Sequence, residues 1–82
     1  MKAAAEGHAD QRASVADRVT VALVPKAASD LQQTVVRTGL SKTDVINRAV
    51  SLYGYIEGRL SDGDELLIRD GKTGQVEQIK FF

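Results

Sequence analysis

Residues 18–24, Arg18-Val19-Thr20-Val21-Ala22-Leu23-Val24, are rich in β-branched side chains and alternate with a period of two. Val19, Val21 and Leu23 fall on one face, and Arg18, Thr20 and Ala22 on the other, which predicts a strand with one apolar side. Two helical patterns follow it directly. A lone strand ahead of two helices cannot form a sheet by itself, because its edge groups lack partners and its apolar face lacks cover. The simplest solution is that two chains pair this strand antiparallel and pack the helices of both chains beneath it.

Length points the same way. A chain of 82 residues buries too little surface for a comfortable core, and small domains draw extra support from disulfides, metal or oligomerisation. There is no Cys, and the one His, His8, sits among small polar residues near the start. Neither disulfides nor a thiolate metal site is available, so no cofactor is expected and oligomerisation remains. Residues 1–16 are mostly Ala, Gly, Asp, Gln and Ser without a sustained apolar period, which reads as a mobile arm.

The helices have legible ends. Pro25 suits a first helical position, where its missing N–H would lack a partner anyway. Ala28, Leu31 and Val35 repeat at helical spacing, with Ala27 and Thr34 beside them, and Gly39 is a natural stop. The first helix therefore spans about 25–38. Its weak point is Val24, at a cap position where Ser, Thr or Asp is usual. The second helix starts better, since Ser41-Lys42-Thr43-Asp44 puts a hydroxyl at the cap and a carboxylate three residues on. Val45, Ile46, Ala49, Leu52, Tyr53, Ile56 and Leu60 form an amphipathic stripe. The helix is expected to end between Gly58 and Gly63. Leu66–Arg69 and Gln75–Phe82 then flank Asp70-Gly71-Lys72-Thr73-Gly74, a turn composition that predicts a β-hairpin. Leu67, Val76, Ile79 or Phe81 is expected to cover the end of the second helix or of its dimer mate. Three segments result: the arm at 1–16, the strand and helices at 17–60, and the hairpin at 61–82.

Formal net charge is zero, but its distribution is uneven. Residues 18–50 carry Arg18, Lys26, Arg37, Lys42 and Arg48 against Asp30 and Asp44, whereas acidic residues outnumber basic ones on either side. In a dimer the central basic excess doubles, which suits a polyanionic partner.

The strand Arg18-Val19-Thr20-Val21-Ala22-Leu23 and the junction Gly39-Leu40-Ser41-Lys42-Thr43-Asp44-Val45-Ile46-Asn47-Arg48-Ala49 closely resemble the ribbon-helix-helix repressors, the plasmid copy-number and antitoxin types in particular. The Arc and methionine repressors of the same superfamily read DNA with a β-ribbon. The likeness covers roughly residues 18–56. It implies an α+β, mainly α fold, as an intertwined homodimer with an intersubunit antiparallel ribbon, extended here by the C-terminal hairpin. By the same likeness Arg18, Thr20 and Ala22 contact bases: Arg pairs bidentately with guanine, Thr makes single bonds, and Ala offers only contact with a thymine methyl. Ala22 departs from the polar residue usual there, which leaves no polar readout at that position. Ser41, Lys42, Thr43 and the amides around them hold a backbone phosphate, with Lys26 and Arg37 as further phosphate candidates. The dimer core comprises Val19, Val21, Leu23, Leu31, Val35, Ile46, Ala49 and Tyr53.

The function expected is sequence-specific binding of double-stranded DNA as a transcriptional regulator, a repressor, with dimers able to stack on longer sites. The alternative is an antitoxin or adaptor whose residues 61–82 bind a partner protein, for which exposed hairpin edges are suited. A pure dimerisation module is a third reading, favoured by Ala22 and the zero net charge and opposed by Arg18, Thr20 and Ser41-Lys42. Catalysis is not expected, since no nucleophile–base pair assembles without His8. Asp62, Asp64 and Glu65 lack calcium-loop spacing, and Gly71 and Gly74 do not build a phosphate loop. Tyr53 lies on the apolar stripe, and Tyr55 off it. No apolar run approaches the ~18 residues of a membrane helix, and Met1-Lys2-Ala3-Ala4-Ala5-Glu6 lacks the apolar stretch of a secretory signal. A cytoplasmic, nucleoid-associated protein without membrane contact is expected.

Overall fold

A computed structural model describes residues 15–80. The expected arm up to residue 14, His8, and the pair Phe81 and Phe82 lie outside the described residues. The fold is small, mainly helical and α+β, with two helices followed by a two-stranded antiparallel sheet. The chain divides into two compact units, one ending at Ile46 and the other beginning at Asn47.

In the first unit, residues 15–24 carry no regular secondary structure, and α1 spans Pro25–Thr38. Val24 precedes it with extended backbone and no side-chain cap, as its apolar side chain requires. The Val24 carbonyl instead accepts the first helical bond, from the Ala28 N–H at 2.9 Å, and Pro25 fills the first helical position. At the other end Gly39 takes φ 75° and its N–H donates to the Val35 carbonyl at 2.9 Å. That left-handed backbone is disfavoured for any residue with a Cβ, which is why a Gly closes the helix. The covered side of α1 is Ala27, Leu31, Thr34 and Val35, all half-buried. Ala28 is exposed, so the stripe is turned slightly from the expected one. Residues 27, 31 and 34 lie within one narrow sector at 3.6 residues per turn, and 28 lies about 100° from 27. Thr34 tolerates its position because its hydroxyl donates to the Asp30 carbonyl at 2.7 Å. Leu40 and Asp44 are half-buried as well.

Helix α2 spans Lys42–Ser61. Ser41 caps it: its Oγ accepts from the Asp44 N–H at 3.0 Å, and its carbonyl from the Val45 N–H at 3.0 Å. Val45, at 9% exposure, is the only buried apolar side chain among the described residues.

The second unit begins inside this helix. After Ser61 the chain reverses through Gly63, at φ 91°. The Gly63 N–H donates to the Leu60 carbonyl at 3.0 Å, and the Asp64 N–H to the Arg59 carbonyl at 3.0 Å. These two bonds define a Schellman stop. Its customary apolar contact is replaced by an ion pair between the Arg59 guanidinium and the Asp64 carboxylate. Arg59 also donates to the Tyr55 hydroxyl at 2.8 Å. The sequence interval for the end of α2 thus holds, and Gly63 is the residue that ends it.

The hairpin follows, with β1 at Leu67–Arg69 and β2 at Val76–Gln78. The register pairs Leu67 with Gln78, Ile68 with Glu77, and Arg69 with Val76. Leu66 and Ile79 extend it through a 2.9 Å bond from the Ile79 N–H to the Leu66 carbonyl. The connecting loop is organised by Asp70, whose Oδ1 accepts from the Lys72 N–H at 2.7 Å and the Thr73 N–H at 3.0 Å. Those amides hold its carboxyl below the ordinary aspartate range, Thr73 contributing most and Lys72 next. A depressed carboxylate stabilises the fold above its unfolded pKa, about 3.9, and loses that contribution as pH falls through its lower folded value. Amide-exchange protection at Gly74 and Gln75 should therefore hold at neutral pH and fall selectively below about pH 3.9, whereas Asp70→Asn should flatten this acid dependence. Acid insensitivity of the loop would contradict the role given to Asp70.

Of the residues expected to cover the end of α2, Ile79 does so, joined by Leu66. Leu66 and Ile79 are half-buried and, with Tyr53, Ile56 and Leu60, line a cavity of about 230 Å³. Ile79 was among the candidates for this role. Leu67 and Val76 are half exposed instead, because odd positions of β1 and even positions of β2 share the opposite face of the ribbon. Glu57 also lines the cavity, and its hydrogen bond raises the pKa of the Tyr53 phenol, with partial burial and the Glu57 charge adding to the effect.

Candidate nucleic-acid interface

Residues 18–24, Lys26 and the Ser41-Lys42-Thr43 junction all belong to the first unit. Arg18, Thr20 and Ala22 are exposed, but so are Val19, Val21 and Leu23, at 76%, 63% and 44%. Among the described residues the segment has no neighbouring strand, so its alternation does not separate a covered face from an open one. The remaining members of the expected core divide into two groups. Leu31 and Val35 are half-buried on α1, whereas Ile46, Ala49 and Tyr53 lie exposed along α2. Those three positions, at spacings of three and four, make a continuous apolar stripe, and Val50 adds to it.

The junction between the helices has definite geometry. Ser41 is fixed by its bond to the Asp44 amide, so its hydroxyl oxygen is already an acceptor within the helix start. Lys42 and Thr43 follow as exposed first-turn residues. The opening N–H groups of a helix have no intrahelical acceptor and sit at the positive end of its dipole. Asp44 in the same turn partly offsets that positive end. The arrangement suits one anionic group next to the Lys42 ammonium.

Lys26 is differently placed from Lys42. It bridges to the Asp30 carboxylate at 2.7 Å, one helical turn along, with both side chains largely exposed. An exposed pair of this kind is worth only a few tenths of a kcal/mol, so it leaves Lys26 able to exchange partners. The Lys26–Asp30 spacing was present in the sequence and signals this pairing. Arg37 lies in the last turn of α1, near its negative end. It lines a shallow depression with Gln32, Gln33 and Val36, at the opposite end of α1 from Lys26.

Two features escaped the sequence reading. Leu40, between the helices, is half-buried, and the Arg59–Asp64–Tyr55 network fastens the end of α2. An Arg five residues before an Asp, straddling a Gly, was the available signal for the second. Among the described residues, no group of three or more His, Cys, Asp or Glu is disposed to hold a metal ion, and no helix is long and apolar enough to cross a membrane. No protein-family model, curated protein or solved structure matches this chain.

Proposed function

We propose that the protein is a ribbon-helix-helix homodimer that binds double-stranded DNA and represses transcription. The observation that carries this reading is the uncovered apolar surface of the single chain. Among the described residues Val45 alone is a buried apolar side chain, while Val19, Val21, Leu23, Ile46 and Tyr53 are exposed. An arrangement with one buried apolar residue cannot offset the conformational entropy of ordering two helices. Antiparallel pairing of residues 18–24 from two chains satisfies the strand edges and gives both apolar sets a common interior. The outward residues of the ribbon are then Arg18, Thr20 and Ala22, which enter the major groove. Ser41, Lys42 and Thr43 of each chain grip a phosphate, and Lys26 exchanges Asp30 for the DNA backbone. Dimers bound to neighbouring half-sites are the expected higher-order form, and the site of action is the nucleoid.

The phosphate contact has its own signature. Lys42→Ala should weaken binding to preferred and unrelated duplexes alike, and lower the slope of log affinity against log salt by about 0.9 per lost contact. Ser41→Ala should combine weaker binding with a helix less stable by about 0.5–2 kcal/mol, because one hydroxyl is both cap and phosphate neighbour. Titrations of both variants at several salt concentrations, with thermal melts alongside, check the pair. A salt slope unchanged in Lys42→Ala would remove this residue from the interface.

A further inference from the structure

Among the described residues the hairpin has two free edges, and they differ in one respect that decides what each can pair with. In an antiparallel ladder, residues alternate between those that bond across and those whose N–H and C=O point outward. The Ile79 N–H bonds the Leu66 carbonyl, and the Asp70 N–H bonds the Gln75 carbonyl. Positions 66, 68 and 70 therefore face β2, and the backbone groups of Leu67 and Arg69 face the open edge. By the same alternation Val76 and Gln78 supply the open edge of β2.

The geometry points to pairing of β1 with β1 of a second copy of the chain, antiparallel about a two-fold axis at Ile68. In that register Leu67 exchanges both backbone bonds with Arg69 of the second copy, and Arg69 does so with its Leu67. Ile68 meets its own equivalent at the non-bonded position, where side chains approach most closely. A β-branched pair there is favourable, and Leu67 lies against the aliphatic stem of an Arg, with no like charges opposed. The corresponding two-fold pairing of β2 places Glu77 directly against Glu77, which is repulsive. Leu67 and Ile68 are about half exposed, at 51% and 52%, on an edge whose one charge is Arg69 and which holds no Pro to block strand addition. A two-stranded ribbon is marginal in water, and a four-stranded sheet made by this pairing relieves that weakness.

The pairing does not rest on the DNA-binding reading, and the test separates the two. Sedimentation equilibrium of the full chain compares the wild type with Ile68→Lys, which opposes two ammonium groups on the axis. Leu67→Pro is the second variant, removing an outward N–H that the hairpin itself does not use. At concentrations where the wild type associates, both variants should have a lower mass than the wild type, with circular dichroism unchanged, and Ile68→Val should keep the wild-type mass. Equal masses for the wild type, Ile68→Lys and Leu67→Pro would overturn the pairing. With the ribbon intact each dimer carries two such edges, so the wild type assembles beyond the dimer and both variants stop at it; without the ribbon the wild type stops at the dimer and both variants are monomers.

Discussion

Leu23→Glu should abolish the folded protein and not release a folded monomer. Leu23 lies on the apolar side of residues 18–24 and is 44% exposed in the single chain, so a carboxylate there would cost little if that chain were the functional form. In the proposed dimer the same side chain is enclosed between the ribbon and the helices of both chains. An unpaired carboxylate buried there costs several kcal/mol per chain, against a total stability of about 5–15 kcal/mol for a small domain. Folding and association are then one equilibrium, since the separated chain has no complete core. Circular dichroism should show loss of helix, and sedimentation should show an expanded single chain. A compact, helical Leu23→Glu monomer would sink the shared interior.

The second large effect is on recognition. Arg18→Ala should weaken binding to the preferred duplex by about 1–3 kcal/mol, roughly tenfold to a hundredfold, and change binding to unrelated DNA far less. An Arg reading guanine loses two directional bonds that a scrambled site never provided. A guanidinium serving only phosphate would lose the same increment on both duplexes, the pattern expected for Lys42→Ala. Thr20→Ala should follow Arg18→Ala with a smaller loss, because a hydroxyl makes one bond where the guanidinium makes two. Ala22 has only a methyl to offer, so Ala22→Gly should relax preference for thymine and little else. Fluorescence titrations of each variant on preferred and scrambled duplexes, in the same salt, measure these differences. Equal losses on both duplexes would move Arg18 from base reader to phosphate contact.

Features whose cause lies within a few residues were legible in the sequence. Pro25 and Gly39 bound α1, Ser41 caps α2, Gly63 ends it, and Asp70 with Gly74 turns the hairpin. Each depends on a local backbone requirement that few residue types satisfy. Choices between adjacent apolar residues were less legible. Ala27 and Ala28 differ by about 100° around a helix, and identical side chains give no reason to prefer one. Leu66 and Leu67 pose the same problem in a strand, where the outcome depends on how the Schellman stop aims the chain at the end of α2. The ion pair of Lys26 with Asp30 shows why a basic residue in the right region is not yet a contact. For the ribbon itself the sequence carries the pattern, but in the proposed dimer the groups that satisfy it belong to another chain. In that dimer Val19, Val21 and Leu23 acquire an inside that the single chain does not give them.

The most direct measurement is selection of bound sequences from a pool of random duplexes, carried out in parallel with the wild type and with Arg18→Ala. A dimeric ribbon has a two-fold axis and reads two equivalent half-sites, so the wild type should enrich a short palindromic motif. The Arg18→Ala pool should lose preference at the symmetry-related guanines and keep the spacing of the half-sites, because the substitution leaves the proposed phosphate contacts at Ser41 and Lys42 in place. Enrichment of no motif by the wild type, or of the same motif with undiminished guanine preference by Arg18→Ala, would contradict the assignment of the ribbon as reader.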